Sequence, residues 1–244
     1  TLLSDKKISL TNIPRVKDVE TMIKLLESMG SKVKVSKNKN SLVIINDKKI
    51  KTEASYNLMS TMRAGIIVLG PLLARFGKAR VSSPGGCNIG FRPIDIHLEA
   101  LKKMGVKYKI IDGYINANAK NGLVGAKIKF PKISVGATEN LMIAACLAKG
   151  QTVLSNCAIE PEIKDLSNFL CSIGAKIVWT GRRQVKIIGV KTFKQSNYKI
   201  MFDRIEAGTM LIAGAINQGN LKITGIESSI LKTEIDLLKK IGAK

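Results

Sequence analysis

Residues 167–177, SNFLCSIGAKI, decide the fold, because their pattern occurs four times in the chain. Each copy places apolar residues at helical spacing and then a glycine, the residue expected at a left-handed helix cap. The copies follow one another at intervals of about 70 residues. They are IKLLESMGSKV (ending at Gly30), LEALKKMGVKY (Gly105), SNFLCSIGAKI (Gly174) and IDLLKKIGAK (Gly242).

A second, more apolar helical pattern precedes three of these copies, and each time a short strand-like segment follows it. After the first three glycine-capped helices come two further strand-like segments. The repeated unit is therefore helix, strand, loop, helix, strand, strand. Its period is long for a solenoid, so we predict packed α/β subdomains. The apolar helices and their strands are TMRAGIIVLGPLLARFG with KARVSS, ATENLMIAACLAKG with QTVLSN, and EAGTMLIAGAINQG with NLKITG.

The outermost repeats are incomplete. The first lacks most of its apolar helix, and the last stops at KKIGAK, before its pair of strands. We therefore expect a chain that is truncated at both ends.

Composition favours a globular protein, with 45% hydrophobic and 24% charged residues. The net charge of +22 comes from lysines spread along the whole chain, and aromatic residues make up only 5%. A lysine-rich solvated surface is therefore favoured over nucleic-acid binding, which uses aromatic stacking or a recognisable basic motif.

The longest apolar runs are too short to span a bilayer, so we expect no membrane insertion. The first residues show no charged segment followed by an apolar one, so we expect no secretion signal.

The four cysteines indicate a reducing, cytoplasmic setting. They form no CxxC pair and show no metal-ligand spacing with the lone His97. Cys146 and Cys171 lie within apolar helical patterns, so we expect them to fill the core.

The stretch SSPGGCNIGFRPID, residues 82–95, holds the residue best suited to chemistry. Cys87 lies among glycines that permit unusual backbone angles, and a helix is predicted to start near Pro93. Arg92 and that helix start would lower the pKa of a nearby thiol and favour the thiolate. From the loop alone, the alternative of a thiol packed into a tight turn is favoured, because free cysteines are usually buried.

Other candidate residues also stand at helix starts. Arg63 begins one apolar helix, and Lys132, Ser134 and Gly136 precede another, an arrangement suited to a phosphate or sugar. The alternatives are that Arg63 is solvent-exposed and that Ser134 or Thr138 merely caps its helix. The acidic segments EPEIKD and DRIEAGT precede further helices, where their carboxylates would complement the helix dipole.

The segment PGGCNIGFRPIDIHLEALKKMG resembles the cysteine loop and following helix of the bacterial UDP-N-acetylglucosamine 1-carboxyvinyltransferases. Other segments resemble that family in the same order along all 244 residues. The resemblance implies a truncated, inside-out α/β barrel of repeated βαβαββ units, with residues 1–201 in a first domain and 202–244 opening a second. The matching segments are TMRAGIIVLGPLLARFG, KISVGATENLMIAACLA, EPEIKDLSNFLCSIGAKI and DRIEAGTMLIAGAI.

The family's reaction moves an enolpyruvyl group from phosphoenolpyruvate to the 3-hydroxyl of UDP-N-acetylglucosamine and releases phosphate, the first committed step of peptidoglycan synthesis. By resemblance, Cys87 is the proton donor and the thiol alkylated by fosfomycin, while Arg63 and Arg92 lie near the anionic substrates. The resemblance assigns the nucleotide-sugar contacts to Arg92–Ile96 and Lys132–Val135. No metal or redox cofactor is implied. These sugar contacts are Arg92, Pro93, Ile94, Asp95, Ile96, Lys132, Ile133, Ser134 and Val135.

Three alternatives remain. The related 5-enolpyruvylshikimate-3-phosphate synthases share the fold but are expected to lack the cysteine, so Cys87 disfavours them. A basic repeat protein that binds nucleic acid and a non-catalytic relative are the others. The resemblance also implies that further catalytic residues lie outside the 244 positions, so we expect the chain alone to be inactive.

Overall fold

The computed structural model describes residues 1–38, 40–47, 49–83, 85 and 94–243. The chain divides into two compact units, Thr1–Lys199 and Ile200–Lys244. The assignment of residues 1–201 and 202–244 to two enolpyruvyl transferase domains remains a prediction.

The first unit contains six α-helices, one 3-10 helix and twelve strands within the described residues. Its helices are α1 (Lys17–Ser28), α2 (Tyr56–Met59), α3 (Leu69–Phe76), α4 (Asp95–Lys103), α5 (Val135–Ala145) and α6 (Pro161–Ser172). Its strands are β1 (Ile8–Thr11), β2 (Ser31–Val35), β3 (Ser41–Asn46), β4 (Glu53–Ala54), β5 (Lys78–Ser82), β6 (Lys107–Ile111), β7 (Tyr114–Asn118), β8 (Lys127–Lys129), β9 (Gln151–Ser155), β10 (Lys176–Gly181), β11 (Gln184–Ile188) and β12 (Ser196–Lys199).

The strands form three four-stranded sheets that share one plan. In each sheet, one parallel pair adjoins two antiparallel pairs, in the orders β12-β1-β3-β2, β4-β5-β7-β6 and β8-β9-β11-β10. The hairpin of β6 and β7 shows how the sequence produces this plan. Asp112 and Gly113 both adopt positive φ, +50° and +74°, as a two-residue hairpin turn requires.

The parallel pairs connect the repeats cyclically. Strand β4 follows the first repeat in the chain and pairs with β5 of the second. Strand β8 follows the second and pairs with β9 of the third, and β12 follows the third and pairs with β1 of the first. From β4 to β7 and again from β8 to β11, the order is therefore βαβαββ, when the short α2 is counted together with α3. The repeat predicted from the sequence is confirmed in these two βαβαββ units.

The helices form the interior and the sheets lie outside them. Helix α5 contacts α3, α4 and α6, and most of its residues are buried, including Leu141, Met142 and Ala144. In β3, β7 and β11, buried residues alternate with more accessible ones, so each sheet turns one face to solvent. This arrangement confirms the predicted inside-out α/β fold of the first unit.

Glycine-capped helices end as predicted. Gly30, Gly105, Gly174 and Gly242 all have positive φ, between +92° and +106°. On α4, the predicted buried stripe is confirmed at Leu98, Leu101 and Met104, which are at most 3% exposed, whereas Ile94 is half-buried.

Three predictions differ from the structure. The apolar pattern 61–77 begins as a 3-10 helix, Arg63–Val68, and becomes α-helical at Leu69, because Pro71 lacks the N–H that an uninterrupted α-helix would use. Cys171 is exposed rather than buried, since the inward side of α6 carries Ile163, Ser167 and Leu170. The predicted strand NLKITG, residues 220–225, has no strand structure.

The second unit consists of α7 (Arg204–Ile216), a 3-10 turn (Ser228–Leu231) and α8 (Lys232–Lys240). Residues 220–225 find no strand partner among its described residues, which explains why the apolar pattern NLKITG does not form a ladder. Throughout the described chain, no helix combines the length and the apolar character needed to cross a membrane.

Candidate substrate-binding site

Cys87, Arg92 and Pro93 lie outside the described residues. The remaining predicted contacts lie on three elements of the first unit: the 3-10 helix that starts at Arg63, the start of α4, and the start of α5.

The start of α5 carries Ile133, Ser134 and Val135. Ser134 is the N-cap, and its Oγ accepts a hydrogen bond from the Ala137 N–H at 3.3 Å. The capping alternative is therefore correct for Ser134, but it uses only one of the N–H groups that a helix start leaves unpaired within the helix. Ile133 and Val135 are 45% and 40% exposed, so this helix start is open to a ligand.

Thr138 secures the α5 start against the segment that leads into α6. Its Oγ1 donates to the Ser134 carbonyl at 2.7 Å and accepts from the Ala158 N–H at 3.0 Å. The backbone at the start of α5 is thus held from both sides, which favours a preformed binding surface.

The start of α4 carries Ile94, Asp95 and Ile96. Ile94 is the N-cap without a side-chain hydrogen bond, Asp95 is the first helical residue, and Ile96 is buried. A small groove of about 90 Å³ lies between α4 and β8, and Asp95, Ile96 and Pro131 line part of it. The segments that contain residues 94–96 and 132–135 are therefore neighbours, as one binding site requires.

His97 lies where the three elements meet. It is 6% exposed, and its Nδ1 is 3.0 Å from the Nδ2 of Asn140 on α5. Burial first and the charge of Arg63 second lower the pKa of His97 to about 4, against the opposite effect of Asp95. The imidazole is therefore neutral near pH 7.

Arg63 is brought close to the other predicted contacts. It is half-buried at the start of the 3-10 helix, and its charge acts on His97. The expectation of a solvent-exposed arginine is therefore wrong. Lys132 is exposed just before α5, where its flexible ammonium group can reach an anion.

Glu139 on α5 has two other carboxylates near it. Burial, followed by the charges of Glu162 and Glu160, raises the pKa of Glu139 to about 7. Glu160 Oε2 also accepts a hydrogen bond from the Ile159 N–H at 2.8 Å. In the described ranges, no group of three or more His, Cys, Asp or Glu side chains is arranged to hold a metal ion.

Sequence reasoning missed His97 and Asn140 as parts of this region. The sequence shows no metal-ligand spacing between His97 and the cysteines, and it indicates no other role for this histidine. The available signal was Asn140, a polar residue inside the apolar helix ATENLMIAACLA, because a buried amide in such a place needs specific hydrogen-bond partners.

Comparison with known proteins identifies the family. The EPSP synthase (3-phosphoshikimate 1-carboxyvinyltransferase) family model matches residues 1–244. The UDP-N-acetylglucosamine 1-carboxyvinyltransferase of Pelagibacter ubique is 67% identical over 244 residues, which are all of this chain and 58% of that protein. The protein of the same name from Coxiella burnetii is 43% identical over the whole chain and 56% of its own length. The chain thus spans somewhat more than half the length of these relatives.

Solved structures share the fold at low sequence identity. The enolpyruvyl transferase NikO from Streptomyces tendae has a TM-score of 0.77 and 18% identity, over 87% of this chain and 50% of that one. An EPSP synthase from Acinetobacter baumannii has a TM-score of 0.74 and 16% identity, over 98% of this chain and 54% of that one. Since the family model matches every residue, the chain belongs to the EPSP synthase (3-phosphoshikimate 1-carboxyvinyltransferase) family.

Proposed function

We propose that the protein acts as a UDP-N-acetylglucosamine 1-carboxyvinyltransferase, which transfers the enolpyruvyl group of phosphoenolpyruvate to the 3-hydroxyl of UDP-N-acetylglucosamine. The observation that carries this proposal is the 67% identity, over the whole chain, with the Pelagibacter protein of that name. The family model alone would equally suit transfer to 3-phosphoshikimate. The PGGCNIGFRPID segment favours the nucleotide sugar.

The proposed chemistry proceeds by addition and elimination. The sugar 3-hydroxyl gives its proton to a general base as its oxygen bonds to C2 of phosphoenolpyruvate. A second proton is delivered to the methylene carbon, which gives a tetrahedral phospho-ketal. Loss of a proton from the new methyl group and of phosphate from C2 then restores the double bond. We assign the proton for the methylene carbon to the Cys87 thiol. Arg92 and the helix start predicted near Pro93 would lower the pKa of this thiol and so make it a stronger acid.

The helix starts and basic residues support binding of the two anionic substrates. We assign the nucleotide sugar to Arg92–Ile96 and Lys132–Val135, and the phosphate and carboxylate groups to Arg63 and Arg92. Unpaired N–H groups at the start of α5 favour negative charge, and guanidinium groups bind phosphate or carboxylate through paired hydrogen bonds. The net charge of +22 would also attract anionic ligands over a longer range.

We also propose a cytoplasmic setting. In the part of the chain that the structure describes, Cys146, Cys157 and Cys171 are free thiols, as expected in a reducing compartment. Burial raises the pKa of Cys157 to about 11, so this thiol is not activated.

Binding of UDP-N-acetylglucosamine to the 244-residue chain, measured by titration calorimetry, is the first test. The expected result is saturable binding, with 3-phosphoshikimate and duplex DNA as comparison ligands. Preference for 3-phosphoshikimate would favour the shikimate enzyme. Binding only to duplex DNA, with an affinity that falls steeply as salt rises, would favour a nucleic-acid protein.

Turnover is tested in an extended protein, in which the unmatched parts of the Pelagibacter relative are joined to this chain. Phosphate release with both substrates is expected. Cys87→Ser should reduce turnover, and Cys87→Asp should keep a proton donor while removing the thiol that fosfomycin alkylates. If the Cys87→Asp protein remains sensitive to fosfomycin, the role assigned to this thiol is wrong.

A further inference from the structure

Asn140 connects three elements of the substrate-binding region through a single buried amide. The residue is 0% exposed. Its Oδ1 accepts from the Gly70 N–H at 2.7 Å, and its Nδ2 donates to the Ile66 carbonyl at 3.1 Å. Because only the oxygen can accept from an N–H and only the nitrogen can donate to a carbonyl, these two backbone groups determine the orientation of the amide.

This orientation determines the tautomer of His97. The second hydrogen on Asn140 Nδ2 points to His97 Nδ1, 3.0 Å away, so Nδ1 must accept. A neutral imidazole that accepts at Nδ1 carries its proton at Nε2. The groups whose charges act on the ring are Arg63, which disfavours the imidazolium, and Asp95, which favours it; burial outweighs both and keeps the ring neutral.

The Nε2 edge of the ring lies beside the start of α5. A Cβ atom added to Gly136, the second residue of α5, would be 3.4 Å from His97 Cε1 and 3.6 Å from Nε2. Gly136 directly follows the segment Lys132–Val135 that is assigned to the nucleotide sugar. Among the described residues, the hydrogen bond of the His97 ring is the one between Nδ1 and Asn140, so Nε2–H can donate to an oxygen atom at this helix start.

We propose that Asn140 is a positioning residue of the nucleotide-sugar site. Its side chain holds His97 as a neutral donor, with the Nε2–H beside the start of α5. The inference rests on the proposed function for the identity of the ligand. The donor suits a phosphate, hydroxyl or carbonyl oxygen. Since Asn140 also bonds the backbone of the element that begins at Arg63, it keeps three contributors to the site in one arrangement.

The tautomer can be observed directly, because His97 is the only histidine among the 244 residues. In the ¹⁵N-labelled chain, long-range ¹H–¹⁵N correlation should show a protonated Nε2 and an unprotonated Nδ1, unchanged as the pH falls from neutral to mildly acidic values. Addition of UDP-N-acetylglucosamine should shift the Nε2 resonance. A proton on Nδ1, or titration with an ordinary histidine pKa, would overturn the inference without any variant.

Asn140→Asp keeps the acceptor for Gly70 and removes the donor to His97. A carboxylate oxygen then faces Nδ1, so a proton should move to Nδ1, and affinity for UDP-N-acetylglucosamine should fall about tenfold. The matched control is Asn46→Asp. Asn46 is 1% exposed and donates from Nδ2 to the carbonyls of Thr1 and Ser4 at 3.0 and 3.1 Å, away from His97.

Both variants lose buried hydrogen bonds and should be less stable, but only Asn140→Asp should change the His97 spectrum and the affinity. Equal losses of affinity in the two variants would reduce Asn140 to a structural residue and overturn the proposal. An unchanged His97 spectrum in Asn140→Asp would do the same.

Gly136→Ala provides a second variant that should fold normally, because its methyl group would meet the imidazole at ordinary contact distances. The tautomer should stay as in the unaltered chain, while the methyl group crowds the Nε2 edge and weakens binding. Unchanged affinity would contradict the placement of the ligand. If the unaltered chain binds no UDP-N-acetylglucosamine at all, the proposed function fails, and with it the ligand assigned to Nε2–H, whereas the spectrum still decides whether Asn140 sets the tautomer.

Discussion

Glu139→Gln should stabilise the first unit, and the gain should grow with pH. Glu139 lies on α5 and faces the start of α6, where Glu160 and Glu162 stand. Burial and these two charges raise its pKa from 4.5 to about 7. Its ionised form is therefore disfavoured in the folded protein, whereas glutamine has nearly the same shape and no charge.

The magnitude follows from the difference between the two pKa values. Each pKa unit corresponds to about 1.4 kcal/mol. The ionised Glu139 carboxylate therefore costs about 3 kcal/mol in the folded state at high pH. Since the folded-state pKa is raised, the favourable contribution of the protonated form is complete below about pH 4.5 and is lost as the pH rises through about 7. The advantage of Glu139→Gln should accordingly be near zero at pH 4.5 and about 3 kcal/mol above pH 8.

Other titrating groups do not obscure this difference. The lowered pKa of His97 reduces stability as the pH falls from 6.5 towards about 4, the opposite direction to Glu139. That contribution is the same in the variant and in the unaltered chain, so it cancels when the two are compared.

The assay is urea unfolding at several pH values, followed by fluorescence of the single tryptophan, Trp179. Trp179 lies in β10 of the first unit, and the Lys164 ammonium is 3.2 Å from its ring centroid, so the signal reports unfolding of the part that contains Glu139. Glu27→Gln on α1 is the matched control. Glu27 is exposed. Its replacement raises the already high positive net charge by one, as Glu139→Gln does.

A gain that does not depend on pH, or a variant less stable than the unaltered chain above pH 8, would refute the reasoning. A gain of similar size in Glu27→Gln would assign the effect to the surface charge rather than to burial of Glu139.

Two further substitutions test the buried hydrogen bonds around α5. Thr138→Val should cost about 1–3 kcal/mol of unfolding free energy, because the Ala158 N–H loses its acceptor. Thr152→Val is the control. The buried Thr152 hydroxyl has no partner in the described residues, so its removal should be neutral or stabilising. Gly70→Ala should also lower the unfolding free energy by about 1–3 kcal/mol, because its Cβ would lie 2.6 Å from the backbone carbonyl oxygen of Asn140. Urea unfolding measures both effects, and a neutral Thr138→Val or Gly70→Ala would contradict the packing described for α5.

Much of the first unit can be predicted from local sequence patterns. Apolar spacing predicts the helices, and the glycines at positions 30, 105 and 174 predict where they end. Asp112 and Gly113 are typical of a tight hairpin turn. These features depend on residues close together in the chain, where side-chain periodicity and backbone preference act directly. The same patterns fail at residues 220–225, because a strand also needs a neighbour to receive its hydrogen bonds.

The candidate site was predicted in part. The sequence by itself determined which segments hold anion-binding character, namely Arg63, the start of α4 and the start of α5, since helix starts and basic residues can be recognised locally. Only the tertiary structure decided that these segments meet at His97, that Asn140 orients its ring, and that Glu139 is half-buried beside two other carboxylates. These contacts join residues far apart in the chain, and the burial that shifts their pKa values arises only when α5 packs among its neighbours.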